Sequence, residues 1–95
     1  MNENKIILDF TNTAINLEVA NDLEKTLDKL SDDSEIIIDL QEADYINSLG
    51  ISTLLIASRH KKKLIVKIKD GSNIHETFNV LGLVDLKDCI KIEVI

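Results

Sequence analysis

The residue best placed to do chemistry is Ser48, in the stretch Asp44–Ile56, D-Y-I-N-S-L-G-I-S-T-L-L-I. A strand-like apolar run, Ile36–Leu40, precedes it, and an apolar helical pattern leads out of it. The polar hinge Asn47-Ser48-Leu49-Gly50 lies between the two. A serine there stands at a helix N-terminus, where unpaired backbone N–H groups meet the positive end of the helix dipole. A phosphoryl group bound or attached at that point finds donors in place. Ser is also among the preferred helix caps, and Gly50 suits a helix start packed closely against its neighbours. On residue types alone, cap and phosphoacceptor both stand.

No second constellation competes. His60 and His75 fall in different predicted helices, without metal-ligand spacing to each other or to acids. Gly50, Gly71 and Gly82 are too dispersed for a phosphate cradle, and neither phosphate-binding glycine fingerprint is present. Ser48 has no evident histidine base, and Ser48-Leu49-Gly50 lacks the preceding glycine of a nucleophile elbow. Asp39 and Asp44 could approach Ser48 across the hinge, but paired carboxylates are common on solvated surfaces. The single cysteine, Cys89, cannot close an intramolecular disulfide and reads as a packing residue. The expectation is a protein acted upon rather than an enzyme, needing no cofactor or metal.

Composition bounds the partners. A chain of 95 residues makes one domain, spanning 1–95; it is 44% hydrophobic and 29% charged, as folded proteins are. With aromatics at 3%, the core must be built of Ile, Leu and Val. The formal net charge of −6 disfavours nucleic acid and anionic membrane surfaces. The exception is Arg59-His60-Lys61-Lys62-Lys63, which reads as favourable charge at a helix C-terminus or, less simply, as a phosphate-binding patch. The N-terminus lacks the basic and apolar regions of a signal peptide, and no apolar run reaches the ~18–20 residues of a membrane span. The expected location is the reducing cytoplasm, without membrane insertion.

The positioning elements follow from hydrophobic period. Lys5–Phe10 alternates as a strand, Thr11-Asn12-Thr13 is a turn, and Ala14–Leu17 reads as a short strand pairing back in a hairpin. Asn16 can cap a helix whose stripe is Val19, Ala20, Leu23, Leu27 and Leu30. Glu35–Leu40 is too continuously apolar for a half-exposed strand and reads as central, covered at least partly on both faces. A helix over Ser48–His60 and a strand over Leu64–Lys69 follow. Next comes a short helix, capped at Asn73 or Ser72, with Ile74, Thr77, Phe78 and Leu81 on one face and Gly82 closing it in left-handed geometry. The last strand carries Ile90, Ile92 and Val94. The order β-β-α-β-α-β-α-β predicts an α/β domain, a mostly parallel sheet of about five strands with about three helices.

The run I-I-I-D-L…D-Y-I-N-S-L-G-I-S-T-L-L, with V-L-G-L-V-D-L at Val80–Leu86, resembles STAS domains, specifically the bacterial anti-sigma-factor antagonists. The resemblance covers about Lys5 to Ile95. It implies that Ser48 is the phosphoacceptor of a partner switch. The unphosphorylated antagonist binds an anti-sigma factor that is itself a serine kinase, phosphorylation separates them, and a PP2C-type phosphatase resets the cycle. It also implies a partner surface of Asn16, Asp44, Tyr45, Asn47, Ser48, Leu49, Gly50 and Ser52, with Ser52 and Thr53 as deeper, less exposed alternative acceptors. Three features depart from the pattern. Asn47 stands where the family usually has Asp, Asn16 lacks the Gly common near it, and the C-terminal helix often present is missing after the last strand. They keep a second function in view: a STAS-like structural subunit, without phosphorylation, of a transporter ATPase or signalling scaffold.

Overall fold

The computed structural model describes residues 5–83 and 90–95. The elements run β1 (Lys5–Asp9), β2 (Ala14–Ile15), α1 (Leu17–Lys29), β3 (Glu35–Asp39), β4 (Tyr45–Ile46), α2 (Ser48–His60), β5 (Lys63–Ile68), α3 (Asn73–Val80) and β6 (Lys91–Val94). The class is α/β. The main sheet has four strands in the order β1-β3-β5-β6, every pair parallel. A separate parallel ribbon joins β2 to β4.

The hairpin expected between the first two strands does not form. The second strand is shorter than expected, Ala14–Ile15, and it pairs with β4 instead of β1. The turn before it explains why: Thr13 N–H bonds the Phe10 carbonyl at 3.0 Å, with Asn12 at a φ of 57°, and Asn12 N–H reaches the Glu42 carbonyl at 2.8 Å. These bonds carry the chain off the edge of β1 and across to the segment after β3.

Strands are added to the sheet in one direction. Right-handed crossovers that all step the same way put their helices on a single face. The buried residues agree: Ala20, Leu23 and Leu27 of α1, Leu54 and Ala57 of α2, and Ile74 and Phe78 of α3 share one cluster with Ile36, Ile38, Leu64, Val66 and Ile68. The central strand is the expected one, with Ile36, Ile37 and Ile38 all buried. Ile37 nevertheless lies outside the cluster, because alternate residues of a strand point to opposite faces. It stands in register with Ile7 and Ile65 on the other face, where Ile7 is 59% exposed. Charged residues border that row: Lys5, Glu35 and Lys63 on one side, and Asp9, Asp39, Lys67 and Glu93 on the other.

The basic cluster after α2 is largely a fastener. Arg59 and His60 lie in the last turn of α2, as the helix-terminus reading expects. The nearly buried Lys61 donates from Nζ to the Leu30 carbonyl at 2.7 Å and to Asp32 Oδ1 at 2.9 Å, tying the ends of α1 and α2 together. Lys62 pairs with Asp33 at 2.8 Å in the open. That hydrogen bond holds the Asp33 carboxyl below its ordinary pKa and raises Lys62 above its own.

Removing the Lys61 ammonium leaves a helix-end carbonyl without its charged donor. Lys61→Ala is expected to lower stability by about 1.5–3 kcal/mol in a denaturant titration. Lys62→Ala, which breaks a fully solvated pair, is expected to leave the transition midpoint where it is.

Candidate functional site

The site is built where the β2–β4 ribbon turns into two helices. Ala14 lies opposite Tyr45 and Ile15 opposite Ile46, and Asp44 and Asn47 donate backbone N–H groups to the Thr13 and Ile15 carbonyls at 2.9 and 3.0 Å. The next residues in register are Asn16 and Asn47, and each caps a helix. Asn16 Oδ1 accepts from Val19 N–H at 3.0 Å, and Asn47 Oδ1 from Gly50 N–H at 2.7 Å. The ribbon therefore sets the N-termini of α1 and α2 beside each other, and these two helices pack together. Two positive dipole ends converge there. Asn16 and the hinge, distant in the chain, meet in the fold.

Ser48 is not the cap. Asn and Ser cap about equally well, so the Asn47-Ser48 pair is ambiguous by type. The ribbon decides it, holding Asn47 extended at φ −88° and ψ 177° and leaving Ser48 as the first helical residue. Ser48 is exposed, and among the described residues no hydrogen bond engages its hydroxyl. The nucleophilic oxygen stands at a helix N-terminus with no structural duty.

Gly50 has the packing role that its type suggested. A Cβ built on it would lie 2.7 Å from Cγ1 of Ile46 and 3.0 Å from Cγ2 of Ile15. Both isoleucines are buried, at 8% and 0% exposure, so neither can swing aside. The first turn of α2 rests directly on the ribbon.

The remaining expected residues divide. Asp44 and Tyr45 are exposed and Leu49 is half-buried. Ser52, in the second turn of α2, is exposed as well. Thr53 is buried and donates its hydroxyl to the Leu49 carbonyl at 2.8 Å, which removes it as an acceptor. Asp39 accepts from Gln41 N–H at 3.0 Å, and no hydrogen bond links either Asp39 or Asp44 to Ser48. His75 bonds locally, accepting from Gly71 N–H at 3.0 Å. Among the described residues no three His, Cys, Asp or Glu side chains gather as a metal site, and no helix is long and apolar enough to cross a membrane. Cys89 and part of the Val80–Leu86 motif lie outside the described residues.

Sequence reading missed one wall of the site. A hollow of about 410 Å³ beside Ser48 is lined by Ile46, Asn47 and Ile51 on one side and by Glu76, Thr77, Val80 and Leu81 of α3 and its end on the other. Leu81, expected on the buried face of α3, is 54% exposed, and Val80 is 79% exposed. Leu81 still closes the last turn, its N–H bonding the Thr77 carbonyl at 3.1 Å before Gly82 turns the chain at a φ of 72°, but it lines the open hollow and does not meet the core. Ser72, not Asn73, caps this helix, accepting from His75 N–H at 3.1 Å.

Compared with protein-family models, curated proteins and solved structures, the chain matches none.

Two substitutions test this geometry. Gly50→Ala, which would favour an ordinary helix, is expected to destabilise by about 1–3 kcal/mol here through overpacking against Ile46 and Ile15. Asn47→Ala is expected to cost about 1 kcal/mol and Asn47→Asp close to nothing, since both Asn and Asp cap. Thermal denaturation followed by circular dichroism measures all three.

Proposed function

We propose that the chain is an anti-sigma-factor antagonist of the STAS type, switched by phosphorylation of Ser48. The observation that carries this reading is the division of labour at the start of α2: Asn47 caps the helix, and the Ser48 hydroxyl is exposed and unengaged. The partner is an anti-sigma factor with serine kinase activity, and a PP2C-type phosphatase completes the cycle. ATP and both enzymes place the cycle in the cytoplasm. The chain supplies the substrate serine and the docking surface and performs no catalysis of its own.

The chemistry needs only the serine. The Ser48 oxygen attacks the γ-phosphorus of ATP held by the kinase, its proton passes to a base of the kinase, and ADP leaves. Water later releases the group as inorganic phosphate on the phosphatase. The modification adds about −1.5 to −2 charge near neutral pH. Within the chain that charge faces the N-terminal amides and dipole of α2, with the neighbouring end of α1 beside them, so the fold need not change.

Across an interface the balance reverses. The partner would cover the hollow of Ile46, Ile51, Val80 and Leu81 and the exposed Tyr45. A phosphate set among those apolar groups must be desolvated, which costs several kcal/mol unless the partner supplies hydrogen bonds to it (roughly 2–7 kcal/mol even for an uncharged polar group). A hundredfold loss of affinity requires only about 2.7 kcal/mol. Asn47 in place of Asp fits the same scheme, because it caps equally well and puts no carboxylate next to the incoming phosphate.

Peptide mass spectrometry of the protein from its own cells, with and without phosphatase treatment, is expected to map a phosphatase-sensitive phosphate to Ser48. Ser48→Ala is expected to retain the partner in the presence of ATP, and Ser48→Asp to bind it about a hundredfold more weakly. A chain unmodified through growth and stress, held in a complex indifferent to ATP, would replace this reading with the structural subunit.

A further inference from the structure

The outer edge of β1 is unpaired among the described residues, and its sequence is complementary to itself. β1 bonds only to β3, and it stands at the end of the main sheet. Phe10 N–H bonds the Asp39 carbonyl, so the even-numbered residues of β1 turn their backbone groups toward β3. Those of Lys5, Ile7 and Asp9 point outward, since the direction alternates along a strand in a parallel ladder. The strand reads K-I-I-L-D. Beside it an open hollow of about 450 Å³ is lined by Ile7, Leu8, Phe10, Val19, Leu23 and Thr26, among others, so none of the described residues fills the space along the edge.

We propose that a second copy of this chain occupies that edge, β1 pairing antiparallel with β1 about a two-fold axis at Ile7. In this register Ile7 faces Ile7, Lys5 faces Asp9, and Asp9 faces Lys5. All are outward-facing, so each opposed pair exchanges both N–H···O bonds. Lys5 and Asp9 lie on the open face of the sheet, where the two strands present opposite charge across the axis. Ile6 faces Leu8 on the core face, and both are only half-buried at present because they stand at the edge. Ile7, 59% exposed, joins its counterpart, and the row Ile65-Ile37-Ile7 continues through the axis into the partner. A shift of one residue would set core-face side chains opposite open-face ones. The pairing removes a free edge that proteins otherwise guard. It does not depend on the Ser48 reading, since β1 contributes nothing to that site.

Sedimentation of the full chain over a concentration series, at about 0.15 M salt, tests the proposal. Wild type is expected to associate to a dimer. Lys5→Asp alone and Asp9→Lys alone each turn both symmetric attractions into repulsions and are expected to weaken the dimer about tenfold or more. The Lys5→Asp/Asp9→Lys double variant, which exchanges the charges within the same register, is expected to recover it. Asp9 also accepts from Thr11 N–H and Oγ1, so its variants are checked for folding by circular dichroism. A variant-free measurement stands beside these: amide exchange at Ile7 should slow as concentration rises through the dissociation constant. A chain that stays monomeric up to about 1 mM overturns the proposal. So does a dimer indifferent to Lys5 and Asp9 but lost with Lys91→Glu on the opposite edge strand.

Discussion

The start of α2 lies against the β2–β4 ribbon with no room for a side chain at Gly50. Much of the site follows from that contact. It brings the first turn of the helix down onto Ile15 and Ile46, and the ribbon in turn fixes Asn47 as the last extended residue. Once Asn47 is extended, its amide oxygen is the group that meets the Gly50 N–H. Ser48 is then helical, exposed and unemployed. A residue with a Cβ at position 50 would lift the helix and loosen the arrangement of cap and hydroxyl together.

In the proposed switch, the separation of the capping oxygen from the Ser48 hydroxyl has a physical advantage. A serine that capped its own helix would hold its oxygen in a hydrogen bond to a backbone N–H, and a kinase would have to compete with that bond for the nucleophile. With Asn47 as the cap, the phosphate adds a favourable charge–dipole interaction and removes nothing. In the proposed switch, nearly all of the free-energy change is thereby directed at the partner. The apolar rim from α3 supplies the surface on which that charge is unwelcome.

Residues with regular periodicity were legible in the sequence. The stripe Ala20, Leu23 and Leu27 and the run Ile36–Ile38 announce a helix and a central strand because each repeats one burial rule over several turns or pairs. The β2–β4 ribbon was not legible. Two residues per strand carry no period, and the pairing joins segments separated by a helix and a strand. The choice between Asn47 and Ser48 as cap was equally closed to local reasoning, since their propensities are alike and a distant carbonyl, that of Ile15, decides it. Leu81 misled for a different reason: its spacing from Phe78 is helical and its N–H keeps the bond to Thr77, but it faces an open hollow that no local pattern announces. Gly50 and Ser48 stood out by type, and the fold supplied the reasons.

The strand order β1-β3-β5-β6 is also the order of the chain. Each strand of the sheet finds its neighbour one crossover after it is made, so no strand must wait for a distant one to be inserted between existing partners. A sheet of this kind grows by addition at one edge, in the direction of synthesis. The ribbon, Gly50 and Ser48 all precede α3, whereas the rim of Val80 and Leu81 comes afterwards. The capped hydroxyl-bearing turn belongs to the part of the protein built first, and the apolar wall beside it is added later.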